Sequence, residues 1–169
     1  SERKSNDKAI DESTFIHGRY ILVGAEAVHW ELFAQYSENP FRNYKKRSVL
    51  GGGLRYELSK SARLGAGILN EDETELTGQS KTTERFGFYL HNSLELAENI
   101  ALKPTIYFQP SIDDFENDYK ASIILALDFK VNEDFKITMQ YSSFHDSDPP
   151  MFAEKTDESI STMFSYNLN

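Results

Sequence analysis

No cysteine occurs in the 169 residues. That excludes a disulfide framework, a thiolate metal site and a thiol nucleophile, and leaves the compartment open, since periplasmic and surface proteins also dispense with cysteine. Long apolar runs are missing as well. Nothing approaches the roughly 18 consecutive apolar residues of a membrane-crossing helix, and mean hydropathy is −0.55. Positive charge is scarce, with 18 Lys and Arg against 27 Asp and Glu and a formal charge of −9. Nucleic acid is therefore excluded as an expected partner, because phosphate binding needs clustered cations. What the chain does have is aromatic content of 13%, with nine Tyr and twelve Phe, and a polar–apolar alternation of period two.

The alternation is plainest around Arg47–Thr74. Ser48, Leu50, Gly52, Leu54, Tyr56 and Leu58 fall on one face, with Val49, Gly51, Gly53, Arg55 and Glu57 on the other; beyond Lys60-Ser61, Leu64, Ala66 and Ile68 alternate with Arg63, Gly65 and Gly67. Side chains on a strand point alternately to opposite faces, so this is a hairpin. Its glycines suit a sharply coiled sheet or a close backbone approach inside a barrel. The rest of the chain repeats the unit. Ile16, Tyr20 and Leu22 oppose His17 and Arg19; Val28, Trp30, Leu32, Ala34 and Tyr36 oppose His29, Glu31, Phe33 and Gln35. A strand over 82–96 sets Phe86, Phe88, Leu90 and Leu94 against Arg85, Tyr89 and His91. The next sets Ile100, Leu102, Ile106 and Phe108 against Lys103 and Tyr107, with an irregularity expected at Pro104. Ile123, Leu125, Leu127 and Phe129 oppose Lys120 and Asp128; Phe135, Ile137, Met139 and Tyr141 oppose Lys136 and Gln140; Ile160, Phe164 and Tyr166 oppose a serine-rich face. Residues 1–13 are charged and aperiodic and read as a loop or tail, and 14–169 as one domain.

Connections read from the sequence alternate between short turns and long polar loops (37–46, 70–81, 110–117 and 145–157). Outer-membrane barrels have this rhythm, with short periplasmic turns and longer external loops. Only alternate residues of such a barrel meet lipid, which reconciles the low hydropathy with membrane insertion. The reading is an all-β, antiparallel up-and-down transmembrane β-barrel of about ten strands. Trp30, Leu32, Tyr36, Leu50, Leu54, Phe86, Phe88, Ile106, Phe108, Ile123, Leu125, Ile137, Phe164 and Tyr166 are expected to face lipid. Nine strands are visible, and single-chain barrels have even numbers, so one further strand is expected upstream of Ser1.

The polar face carries His17, Arg19, His29, Glu31, Arg55, Glu57, Arg85, Tyr89, His91, Lys103, Asp128 and Lys136. Charges in a narrow lumen must be paired and hydrogen-bonded, so these are expected to form a network that fills it; a narrow polar pore for small solutes is the alternative. The four histidines lack metal-ligand spacing, and no metal or cofactor is expected. His91 and Ser93, two apart on one strand face, are a His–Ser pair that with a nearby carboxylate would have the parts for acyl hydrolysis, similar to the pair of outer-membrane lipid A deacylases; both would point into the lumen. The acidic stretches Glu71, Asp72, Glu73, Glu75; Asp113, Asp114, Glu116, Asp118; and Asp146, Asp148 read as a solvated rim, without the spacing of a calcium loop.

HGRY at 17–20, WELFAQYSENPFRNYKKRSVLGGGLRYEL at 30–58, RLGAGILNEDE at 63–73, YFQPSIDDFENDYK at 107–120 and YSSFHDSDPP at 141–150 resemble the YdiY-like or salt-induced outer membrane protein family, a domain of unknown function. The resemblance spans 15–168. It implies an outer-membrane barrel of a Gram-negative bacterium, with lipid and other envelope proteins as partners and no catalytic residues to carry over. The role it leaves is structural or in envelope assembly, ahead of a channel or a lipid-modifying enzyme.

Overall fold

The structure, a computed structural model, describes residues 14–24, 26–39, 44–150 and 153–167. Ten strands form one sheet: β1 (Thr14–Leu22), β2 (Val28–Asn39), β3 (Tyr44–Glu57), β4 (Arg63–Glu75), β5 (Ser80–His91), β6 (Leu94–Ala97), β7 (Ile100–Pro110), β8 (Tyr119–Lys130), β9 (Phe135–Asp146) and β10 (Thr156–Tyr166). Every pairing is antiparallel and the main path β1-β2-β3-β4-β5-β7-β8-β9-β10 follows sequence order, with β6 a short side branch on β7. No helix occurs among the described residues. The sheet curls into a half-barrel whose outer strands, among the described residues, are β1, paired with β2, and β10, paired with β9.

The faces are those of an inside-out protein. Glu31, Arg55, Glu71, Arg85, Lys120, Asp128 and Asp146 are buried, whereas Trp30, Leu50 and Phe164 are 60%, 68% and 69% exposed. A water-soluble domain hides its apolar atoms and hydrates its charges; here the concave side is polar and the convex side apolar. Leu32, Leu54, Phe88, Ile106, Ile123, Leu125 and Tyr166 are exposed on the convex side. Tyr36, Phe86, Phe108 and Ile137 are half-buried there. For two of these the cover is aromatic: Phe115 lies 6.3 Å from Phe86 and 5.9 Å from Phe108, and Tyr119 lies 5.7 Å from Phe108, ring centre to ring centre.

Two expectations are corrected. The stretches 37–46 and 70–81 are not long loops. β2 runs to Asn39 and β3 begins at Tyr44, while β4 and β5 stay paired out to Thr74 with Ser80, leaving 76–79 as the turn. Polar side chains on both faces of these strand ends hide the alternation while the ladder continues. The strand expected over 82–96 is also two elements, β5 and β6, broken at Asn92–Ser93. The break lies opposite Pro104: β5 pairs with β7 from Thr105 to Phe108, β6 pairs with β7 from Ile100 to Leu102, and the Asn92 N–H donates to the Pro104 carbonyl at 3.0 Å. Pro104 has no N–H to return. The irregularity expected at the proline therefore falls on its neighbour.

Candidate functional site

The concave side holds two main charge clusters, a smaller third and a cavity of about 540 Å³. The first cluster centres on Glu31 of β2. Arg19 of β1 stands 3.6 Å from its carboxylate and Arg55 of β3 donates at 3.5 Å. From three strands away, the Tyr89 hydroxyl of β5 donates at 2.8 Å. The Arg19 guanidinium lies 5.3 Å from the centre of the Tyr89 ring, a cation–π contact that links β1 to β5. Arg55 also donates to Glu57 at 3.1 Å, and His29 lies 3.8 Å from Glu57.

Glycine makes this geometry fit. Gly65 of β4 is the cross-strand partner of Tyr89, and a Cβ on it would overlap the tyrosine ring. With only hydrogen there, the ring lies flat along β4 and its hydroxyl reaches Glu31.

The second cluster centres on Glu71 of β4. It accepts hydrogen bonds from Arg47 of β3, from Arg85 of β5 at 2.5 Å and from Lys120 of β8 at 2.8 Å. Lys120 also donates to Glu73 at 3.0 Å and stands 3.3 Å from Asp146. β4 and β8 are separated by β5 and β7, so the Lys120–Glu71 pair is a chord across the concave side. Around it Arg85 meets Asp118 at 2.7 Å, and Lys81 donates to Asp118 at 3.0 Å and Asp148 at 2.7 Å. Asp148 lies in the β9–β10 connection, and its hydrogen bond from Lys81 holds its carboxyl below the usual value. A smaller group joins β7, β8 and β9: Asp128 accepts hydrogen bonds from Lys103 at 2.7 Å, from the Thr138 hydroxyl at 2.6 Å and from Lys136 at 3.5 Å.

Of the residues singled out on the polar face, Arg19, His29, Glu31, Arg55, Glu57 and Tyr89 come together in the first cluster, Arg85 in the second, and Lys103, Asp128 and Lys136 in the third. His17 lines the cavity. Sequence reasoning missed the second hub. Glu71, Glu73, Asp118 and Asp146 are not a solvated rim: Glu71 is only 2% exposed, and Asp118 and Asp146 are buried. Asp113, Asp114 and Glu116 are exposed, as is Asp72, which accepts a hydrogen bond from Thr82. The available signal was that Glu71 and Glu73 continue the phase of Gly65 and Gly67.

The structure does not set His91 and Ser93 on one strand face. The His91 ring is hydrogen-bonded to the Thr105 hydroxyl at 2.8 Å, and the Ser93 backbone N–H donates to the Ser61 carbonyl and the Asn92 side chain. Two residues apart share a face only on an unbroken strand, and this strand breaks between them. No group of three or more His, Cys, Asp or Glu is placed to hold a metal ion among the described residues.

The cavity is lined from both main clusters, by Arg19, Glu31, Gln35, Arg47, Tyr89 and Lys120 among others. It therefore combines cations, one buried carboxylate, amides and aromatic faces, and stands between ties that fix its walls.

Comparison with known proteins gives one family and one fold. The family described as "Protein of unknown function, DUF481" matches residues 1–168. No curated protein sequence matches the chain. A solved structure of the NanC porin, in a rhombohedral crystal form, is similar with a TM-score of 0.59 over 92% of this chain and 79% of its own, at 9% identity. At that identity the likeness is one of fold: a porin-like antiparallel β architecture.

Proposed function

We propose that this chain, which belongs to the DUF481 family of proteins of unknown function, is a structural β-barrel of the Gram-negative outer membrane whose lumen is braced by fixed ion pairs. The YdiY-like outer membrane proteins that the sequence resembles are this family. The carrying observation is the chord from Lys120 to Glu71 between strands that are not neighbours. Each partner is buried, so breaking the pair strands a charge, and the ties resist a change in barrel shape. The apolar convex side meets outer-membrane lipid, and the envelope role is to present a rigid wall and its polar connections to other envelope proteins.

A second reading, a narrow channel for small solutes, is favoured by the 540 Å³ cavity and the porin-like fold. Planar-bilayer recording of the purified protein separates the two. A braced lumen gives no unit conductance steps in the wild type and acquires them in Glu71→Ala; steady steps from the wild-type protein overturn the structural reading in favour of the channel. The lipid-modifying alternative loses the shared strand face it was argued from, since the strand breaks between His91 and Ser93 and the His91 ring is hydrogen-bonded to Thr105.

A further inference from the structure

The cavity on the concave side has a floor without side chains. Gly53 of β3 pairs with Gly67 of β4, and Gly67 with Gly87 of β5, so three glycines stand in one row across three strands. All three line the cavity. Gly53 and Gly67 have a steric reason, because a Cβ on either would run into the backbone of the other's strand. Gly87 has none. A Cβ there would find its nearest neighbour, the Leu69 Cδ2, at 3.4 Å, and its backbone is not in the left-handed region. Glycine weakens a strand interior, so the fold alone gives no reason for the open space over Gly87.

A volume of about 540 Å³ lies in the range that holds one small organic molecule. The charges around it are already committed. Lys120 and Arg47 donate to Glu71, while Arg19 and Arg55 share Glu31 with the Tyr89 hydroxyl. A charged ligand would have to break one of these pairs in a buried site, which is costly. Much of the remaining wall is aromatic or aliphatic, with Phe33, Leu69, Ile124 and Phe144. A sugar, with hydroxyls on every edge, would press several of them against these side chains without partners. An aromatic ring instead gains offset or edge-to-face contact with them. Three neutral polar groups gather at one edge of the floor. The pairings of Phe88 with Phe108 and Arg85 with Ser111 set Gln109 opposite Gly87, and Tyr107 and Ser122 are cross-strand partners beside it. The Gln109 amide and the Tyr107 and Ser122 hydroxyls have no hydrogen-bond partner among the described residues.

We propose that this cavity binds one small uncharged aromatic molecule with a hydroxyl or amide on its edge. The ring lies on the Gly53–Gly67–Gly87 backbone, and its polar group meets Gln109, Tyr107 and Ser122. This goes beyond the bracing role and is independent of the membrane reading, because the cavity is on the concave side whichever medium the convex side meets.

The cysteine-free chain lets a single thiol report on the cavity. Ser122→Cys places it in the wall, and Thr77→Cys places a control in the exposed 76–79 turn. The purified full-length protein is modified with a small maleimide in the presence of 2-naphthol, 2-naphthoate or glucose. The expected result is that 2-naphthol slows modification of Ser122→Cys several-fold and saturably, leaves Thr77→Cys unchanged, and acts more strongly than the other two. Gly87→Leu fills the space over the floor and removes the effect of 2-naphthol; Ile124→Trp does the same from β8 should the first variant not fold. Protection by 2-naphthoate equal to or above that by 2-naphthol overturns the proposal in favour of an anion site on the lumen cations. Protection by glucose alone overturns it in favour of a carbohydrate site. Equal slowing at Thr77→Cys, protection that survives the filling substitutions, or a thiol at position 122 that the maleimide never reaches or no compound shields overturns it altogether.

Discussion

Glu71 and Glu75 sit four residues apart in one acidic stretch, yet the structure gives them opposite fates. Glu71 receives Arg47, Arg85 and Lys120 in a buried site, whereas Glu75 is near the turn and accepts from the Thr77 hydroxyl. Removing the Glu71 carboxylate leaves three cations facing one another without the group that holds them. Glu71→Ala is expected to lower stability by about 3–5 kcal/mol, the range for breaking a buried pair; Glu75→Ala should stay within about 0.5 kcal/mol. Denaturant unfolding in detergent micelles or liposomes checks both, and equal effects would put Glu71 back on the rim. This distinction was not legible in the sequence. The phase of Gly65 and Gly67 places Glu71, Glu73 and Glu75 on one face alike, and nothing local marks which of the three meets cations from other strands.

At the scale of the element, the glycine-rich strands β3 and β4 were legible as a coiled hairpin, and the structure gives their glycines a steric reason. Gly65 accommodates the Tyr89 ring, and Gly53 and Gly67 face each other so closely that a Cβ on Gly53 would lie 2.5 Å from the Gly67 Cα. Gly65→Ala is therefore expected to displace Tyr89, break its hydrogen bond to Glu31 and lower stability by about 1–3 kcal/mol, as overpacking does. Tyr89→Phe serves as the reference that removes the hydroxyl alone. Should Gly65→Ala unfold no more readily than the wild type, the ring is not held against β4. The turns at 58–62 and 131–134 were readable because polar residues interrupt two clean alternations. The division of β5 from β6 was not, because its cause, Pro104, is on the partner strand and a cross-strand consequence leaves no local mark. The same break removed the His91–Ser93 face that period two had implied.

The whole molecule turns on which face meets water. Alternation in the sequence separates a polar from an apolar face but is symmetric between inside and outside. The long charged groups on the polar face, together with the rhythm of the connections, broke the symmetry, and burial of Glu31, Arg85, Lys120 and Asp128 with exposure of Trp30, Leu50 and Phe164 agrees with that choice. The connections carried less of the argument than their sequence length implied, since much of two of them is strand. A charge on the convex side is the point test: Leu125→Arg should cost about 2–4 kcal/mol at the bilayer midplane and reduce assembly, where in a water-facing position it would be neutral. The most direct measurement of the central claim is the partition and heat-modifiability of the full-length protein. The account predicts extraction from outer membranes by detergent alone, with a folded band that shifts on a gel after boiling and a weaker folded band for Leu125→Arg. Recovery as a soluble monomer whose mobility is unchanged by boiling would contradict it and place Trp30 and its neighbours in a water-excluded interior.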